Sequence, residues 1–298
     1  MNISTSGDPS LLRRRRFAYI IGAIITGVIA LSIHVFVLSA LNIPTPQTGP
    51  STGFLVWLDS IGRVFGILLV CRYTMEGLWQ RGWSVAKASL APFVLFAMFS
   101  ESLIRMPVMN GVVSESLAYP LIAGWTSLLP LLVIFAICAV VAARIKDPRW
   151  LLVAAVAIWA WVKYVLAVPL KVLMATILSH AATLARPEIY SPPYDWHVYI
   201  PAYITYAEPV IGVFLLLALM WDRLPGRTAL RCAMMVLILL LAKSLAIGPF
   251  AYALSAPEGS RLVALLSMGQ FSLEMMALIL LAIATRMVVR SVGQPARE

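Results

Sequence analysis

Runs of about twenty apolar residues recur along the whole of this chain. Each is long enough to cross the ~30 Å hydrocarbon core of a bilayer as a helix rising ~1.5 Å per residue. They fall near 17–41, 54–72, 88–108, 117–142, 150–172, 201–221, 230–254 and 262–286. The connections between them, such as "RIKDPR", "DRLPGR" and "SAPEGS", carry the proline, glycine and charge that end helices. None is long enough for a soluble domain. Of 298 residues, 61% are hydrophobic and 12% charged, whereas a soluble chain carries about a quarter charged residues. A membrane β-barrel would show ~10-residue segments of alternating hydrophobicity, and the sequence has none. The expectation is therefore an all-α fold, a polytopic transmembrane helical bundle with about eight spans. One domain, 17–290, lies between a basic tail, 1–16, and a short tail, 291–298.

Charge orients these spans. Arg13 to Arg16, Arg72, Arg81, Lys87, Arg144, Lys146, Arg149, Arg223, Arg227, Arg231, Arg286, Arg290 and Arg297 fall on one side of an eight-span topology. Arg186 and Arg261 alone fall in the opposite loops. The positive-inside rule puts both termini in the cytoplasm of a multi-pass protein of a bacterial-type inner (plasma) membrane. The same clustering accounts for the formal charge of +10, so nucleic acid is not an expected partner. The run after Arg16 is too long for a signal-peptide core, which makes it an uncleaved first helix. Cys71, Cys138 and Cys232 lie in or at the ends of apolar runs and show no Cys-x-x-Cys spacing. His34 is the sole histidine within a well-defined span, so a bis-His haem has no second ligand. No cofactor and no metal site is expected. The fifth run continues to residue 185, too long for one straight crossing, and Pro169 is the expected kink.

Most informative are the ionisable residues inside the runs, because an unpaired charge at mid-bilayer costs at least about 2.5–3.5 kcal/mol. These are His34, Asp59, Arg63, Glu101, Arg105, Lys163, Glu208, Lys243 and Glu274. Counted from the external end of each span, they cover a band from roughly 5 to 18 Å below the external surface, and none lies deep in the cytoplasmic half. Matching depth predicts pairs between Asp59 and Arg105, Arg63 and Glu101, Lys163 and Glu208, and Lys243 and Glu274, the first four charges forming one cluster. Ser267, Gln270 and Glu274 share a face of the last span at i, i+3, i+7. Gly62 and Gly66 permit close helix approach. No internal repeat is legible in the residues, and nothing marks the broken helices that repeat transporters use.

The candidate substrate- or ion-binding set is thus Asp59, Arg63, Glu101, Arg105, Lys163, Glu208, Lys243, Gln270, Glu274 and His34. The leading expectation is a small-molecule or ion transporter. In it Glu208 and Glu274 carry protons or cations, Lys163 and Lys243 exchange partners, and Arg63 and Arg105 orient an anion. Two alternatives use the same layer. One is a membrane-embedded enzyme acting on a lipid-linked substrate at the outer leaflet, with Glu101 or His34 as base. The other is a non-catalytic subunit or scaffold whose ion pairs serve packing. The expected partners are membrane lipids, the solute, and a protein partner or second copy of the chain.

Overall fold

Inside hydrocarbon a backbone N–H or C=O must be satisfied within its own segment, which leaves helix as the economical solution. The computed structural model describes residues 9–43, 53–145, 147–186 and 194–291. Among them helix is the only regular structure. Six stretches are long and apolar enough to cross a membrane: Ser10–Ser39, Phe54–Trp79, Ala118–Arg144, Arg149–His180, Trp196–Arg223 and Glu258–Ser291. The corresponding helices are α1 (Pro9–Ser39), α2 (Phe54–Trp79), α5 (Ala118–Arg144), the pair α6 (Pro148–Trp161) and α7 (Ala167–His180), the pair α8 (Trp196–Thr205) and α9 (Ala207–Met220), and α12 (Arg261–Ser291).

The two remaining apolar runs are not the continuous spans that their hydropathy predicts. The run near 88–108 is α3 (Val85–Phe99), a non-helical stretch, then α4 (Arg105–Ser114). The run near 230–254 is α10 (Thr228–Ala242), another non-helical stretch, then α11 (Gly248–Ser255). Both breaks have the same cause. The chain closes the first helix with a left-handed residue, Glu101 at φ 64° and Ser244 at φ 60°. At the first break Ser100, Glu101 and Ser102 donate backbone bonds to Phe96, Met98 and Ala97. At the second, Lys243, Ser244 and Leu245 donate to Leu239, Leu241 and Leu240, the same register residue for residue. This is a Schellman-type ending, which satisfies the last carbonyls and turns the chain out of the helix. Pro107 and Pro249 then stand in the first turns of α4 and α11, where no backbone donor is needed.

A milder irregularity lies in the fifth run. Pro169 has no N–H for the carbonyl one turn back, and a π turn at Val162–Leu166 precedes it. Beyond it α7 buries none of its residues. Pro209 has the same effect on α8 and α9, which part at Tyr206.

α2 is central, packing against α10, α5, α6, α3, α9 and α11. The packing repeats between the halves. α10 and α11 lie on α2, as α3 and α4 lie on α9 and α8. α5 packs on α3 and α4, as α12 packs on α10 and α11. α6 meets α2, as α1 meets α9. Glycine placement follows suit. A Cβ on Gly66 of α2 would lie 2.5 Å from the backbone N of Ala242, and one on Gly212 of α9 would lie 2.5 Å from that of Phe99. Ala242 and Phe99 are the last residues before the two breaks. The described parts of residues 9–144 and 148–291 therefore repeat one packing pattern, a repeat the sequence does not display. It is imperfect, since α2 packs on α3 without a comparable contact between α9 and α10.

Basic side chains gather at one end. Arg286 and Arg290 pair with Asp222 at 2.9 and 3.2 Å, Arg223 donates to Gln80, and Arg72 donates to the carbonyls of Ala142 and Ile145. Cys71 and Cys138 are buried and Cys232 partly so, all three free.

Candidate functional site

The two breaks face each other, and the residues that end α3 and α10 meet in an ion pair. Lys243 donates from Nζ to Glu101 Oε1 at 2.8 Å. The other oxygen of Glu101 accepts from Arg105 Nε at 2.6 Å. Glu101 thus bridges two cations, one from each half of the molecule. Arg105 also donates from Nη1 to the carbonyl of Ala202 and to Thr205 Oγ1 at 3.2 Å, and its guanidinium lies 4.9 Å from the centre of the Tyr206 ring. Lys243 contacts Met275 Sδ at 3.2 Å and stands 5.6 Å from the Phe99 ring centre.

Each break exposes the N-terminal N–H groups of the helix that follows, and a carboxylate from the opposite half meets them. Glu208 accepts from the backbone of Leu103 (2.9 Å), Ile104 (3.0 Å) and Arg105. Asp59 faces the N–H of Gly248 and the hydroxyl of Ser244. A negative group at a helix N-terminus satisfies orphan donors and opposes the positive end of the helix dipole. Glu208 is therefore a cap on α4, and Asp59 is a looser counterpart at the start of α11, set one helical turn further from the break-packing glycine of its own helix (Asp59 to Gly66, against Glu208 to Gly212). The carboxylate inside the apolar run of α2 is explained by a helix that stops and restarts beside it.

A cavity of about 450 Å³ opens at the first break. Its polar lining comprises His34, Ser100, Glu101, Arg105, Asn110 and Lys243, with Met106, Met109 and Phe271 among its apolar walls. His34 Nδ1 lies 3.7 Å from Glu274 Oε2, and its ring stacks on Phe271 at 5.1 Å. The Tyr206 hydroxyl is turned toward Glu274 without a well-formed hydrogen bond. Ser267, Gln270 and Glu274 are all buried. Gln270 donates to the Ser267 carbonyl at 2.8 Å.

The depth-matched pairs do not form. Lys243 binds Glu101, while Glu274 has His34 as its near neighbour. Lys163, expected beside Glu208, sits among aromatic faces, 4.6 Å from Trp57, 5.1 Å from Trp159 and 5.4 Å from Tyr164, where a cation is held by the ring quadrupoles. Arg63 is exposed, its nearest charge is Asp59, and among the described residues it makes no ion pair. The four-charge cluster of Asp59, Arg63, Glu101 and Arg105 is absent, because α3 turns out of the helix before Glu101 and carries Glu101 toward α10 instead of α2. Of the ten expected residues, His34, Glu101, Arg105 and Lys243 line the cavity. Ser100 and Asn110 line it too and stand outside the expected set. The available signal was the polar triplet Ser100–Ser102 shortly before Pro107. Among the described residues, no three His, Cys, Asp or Glu side chains gather as a metal site would.

With its six long apolar helices, the all-helical chain has the make-up of a multi-pass integral membrane protein. Comparison with known protein families, curated proteins and solved structures finds no match for this chain.

Proposed function

We propose that the protein is a transporter of a small molecule or ion, with its binding site in the cavity between the two helix breaks. The carrying observation is the pairing of two discontinuous helices in corresponding positions of the repeated halves, joined across the cavity by Glu101 and Lys243. Secondary transporters place substrate at such a repeat interface, beside helices whose interruption frees backbone and charge for a ligand. A cavity of about 450 Å³ falls within the size range of small-molecule sites.

In this reading the broken pairs α3–α4 and α10–α11 complete eight crossings. Each half then crosses four times in the same orientation, with the repeat axis along the membrane normal. The basic end faces the cytoplasm with both termini, the cavity opens outward, and the membrane is a bacterial-type inner membrane. Glu208 serves as a cap, which removes it as a proton or cation carrier and leaves Glu101, with Glu274 and His34 behind it, at the site.

The test is flux. Purified protein in proteoliposomes is presented with small anions, cations and neutral solutes, and uptake is followed with and without a proton gradient. Uptake above empty liposomes, abolished in Arg105→Ala or Lys243→Ala protein that still purifies folded, supports transport. Folded wild-type protein that moves none of the solutes argues for a scaffold or an enzyme.

A further inference from the structure

We propose that the cavity takes a small anion bearing a carboxylate or phosphate, and that Glu101 is its built-in stand-in, released from Arg105 and Lys243 by protonation as the anion enters. This rests on the transporter reading and adds the charge of the solute and its coupling to protons.

Among the described residues the charges that line the cavity are Arg105, Lys243 and Glu101. Two cations against one carboxylate leave an excess of positive charge in a site walled by apolar side chains. Neither cation is saturated by protein. Arg105 spends Nε on Glu101 and Nη1 on Ala202 and Thr205, and among the described residues its Nη2 has no partner. Lys243 spends one strong bond on Glu101 and a weak one on a thioether. A planar guanidinium with free donors beside an ammonium suits a carboxylate or phosphate.

Other carboxylates near Glu101 are already committed. Glu208 of α9 is held by three backbone N–H groups. Glu274 of α12 lies behind the His34 ring of α1, with Tyr206 beside it. Among the described residues Glu101 alone presents its carboxylate to the cavity, in the position an incoming anion would want. The exchange balances. Glu101 takes one proton from the water that fills the open cavity and loses its charge, while a monoanion brings one negative charge to the same two cations. The low-dielectric site keeps its net charge, which avoids the cost of an orphaned buried ion. The consequence is symport of one proton with each monovalent anion.

The experiment measures binding and proton uptake together. Folded protein in weakly buffered detergent solution with a pH indicator is titrated with acetate, succinate and inorganic phosphate, each brought to the starting pH. A short-chain phosphatidic acid is tested beside them. One of the free anions should bind, raising the melting temperature, with about one proton taken up per protein. The Glu101→Gln protein should bind the same anion with no proton uptake and without the weakening that rising pH causes in the wild type. If that variant does not fold, the wild-type proton count decides alone. Binding without proton uptake, binding of the lipid only, or no binding of any of the four overturns the inference. Flux of a cation or neutral solute in that last case leaves the transport reading standing. Anion binding with proton uptake but no flux supports the site and removes the transport reading.

Discussion

The two helix breaks share a backbone and differ in chemistry. At both, the chain leaves the helix through the same three backbone bonds and one left-handed residue. At the first break that residue is Glu101 and the next helix opens with Arg105. At the second they are Ser244 and Gly248. The first cap, Glu208, receives three N–H groups, while the second, Asp59, stands near one N–H and a hydroxyl without a well-formed hydrogen bond. The lesson is that the repeated requirement is geometric. Any side chain compatible with the turn keeps the architecture, so one break is free to specialise. Charge collects at the first break, with one ion, Lys243, supplied by the second.

The largest effect is expected from the caps. Glu208→Leu leaves three backbone donors without an acceptor, one buried and two part-buried, each costing up to about 1–3 kcal/mol. The folded yield in detergent should collapse. Asp59→Leu removes a lighter cap, and a loss of about 1–3 kcal/mol is expected, read as a smaller fall in thermal stability. Equal losses would erase the distinction drawn between the breaks.

Next come the glycines, where the halves should behave alike. Gly66→Ala and Gly212→Ala each drive a methyl into backbone of the opposite helix, an overpacking that costs about 1–3 kcal/mol. Melting temperatures that fall together sharpen the repeat, and one tolerated substitution would break it.

The bridging ion pair should show coupling. Glu101→Gln or Lys243→Met alone leaves a partner charge uncompensated, and breaking a buried pair costs about 3–5 kcal/mol when fully enclosed. Both residues retain 18% side-chain exposure to the cavity, so the lower end or less is expected. The double variant should recover part of the loss, and an additive double variant would deny the contact.

The smallest effect is at Ser244. Glycine there relieves left-handed strain of about 1–2 kcal/mol and gives up a hydroxyl contact of about 1 kcal/mol. Ser244→Gly should be near neutral, while Glu101→Gly, with the same backbone, should destabilise through its lost ion pairs.

Much of the architecture is legible in the residues. Apolar runs locate the helices, and an ionisable residue in an apolar run does mark structure worth finding. His34, Glu101, Arg105 and Lys243 all appear in that reading and all face the cavity. What fails is pairing by depth, because depth fixes one coordinate of three. Lys163, matched to Glu208 by residue count alone, turns to Trp57. The breaks are hidden because glutamate and serine, rather than glycine, hold the left-handed positions. Pro107 and Pro249, in the first turns after the breaks, are the clues that hydropathy averages away. The repeat is hidden because "FSESLIRMP" and "AKSLAIGPF" satisfy one backbone path with different side chains.

The central claim is that the space between the breaks is a water-reachable site and not a packing defect. Single cysteines at Ser100, inside the cavity, and at exposed Asn110, at its edge, test this. They are made in protein carrying Cys232→Ser, and the fully buried Cys71 and Cys138 serve as silent controls. A membrane-impermeant thiol reagent is applied to one face of intact cells or oriented vesicles. The account predicts that both positions react from the same face, the one opposite the basic end. Ser100→Cys protein that folds, reacts after denaturation and stays silent while Asn110→Cys reacts would show a dry interior and contradict it.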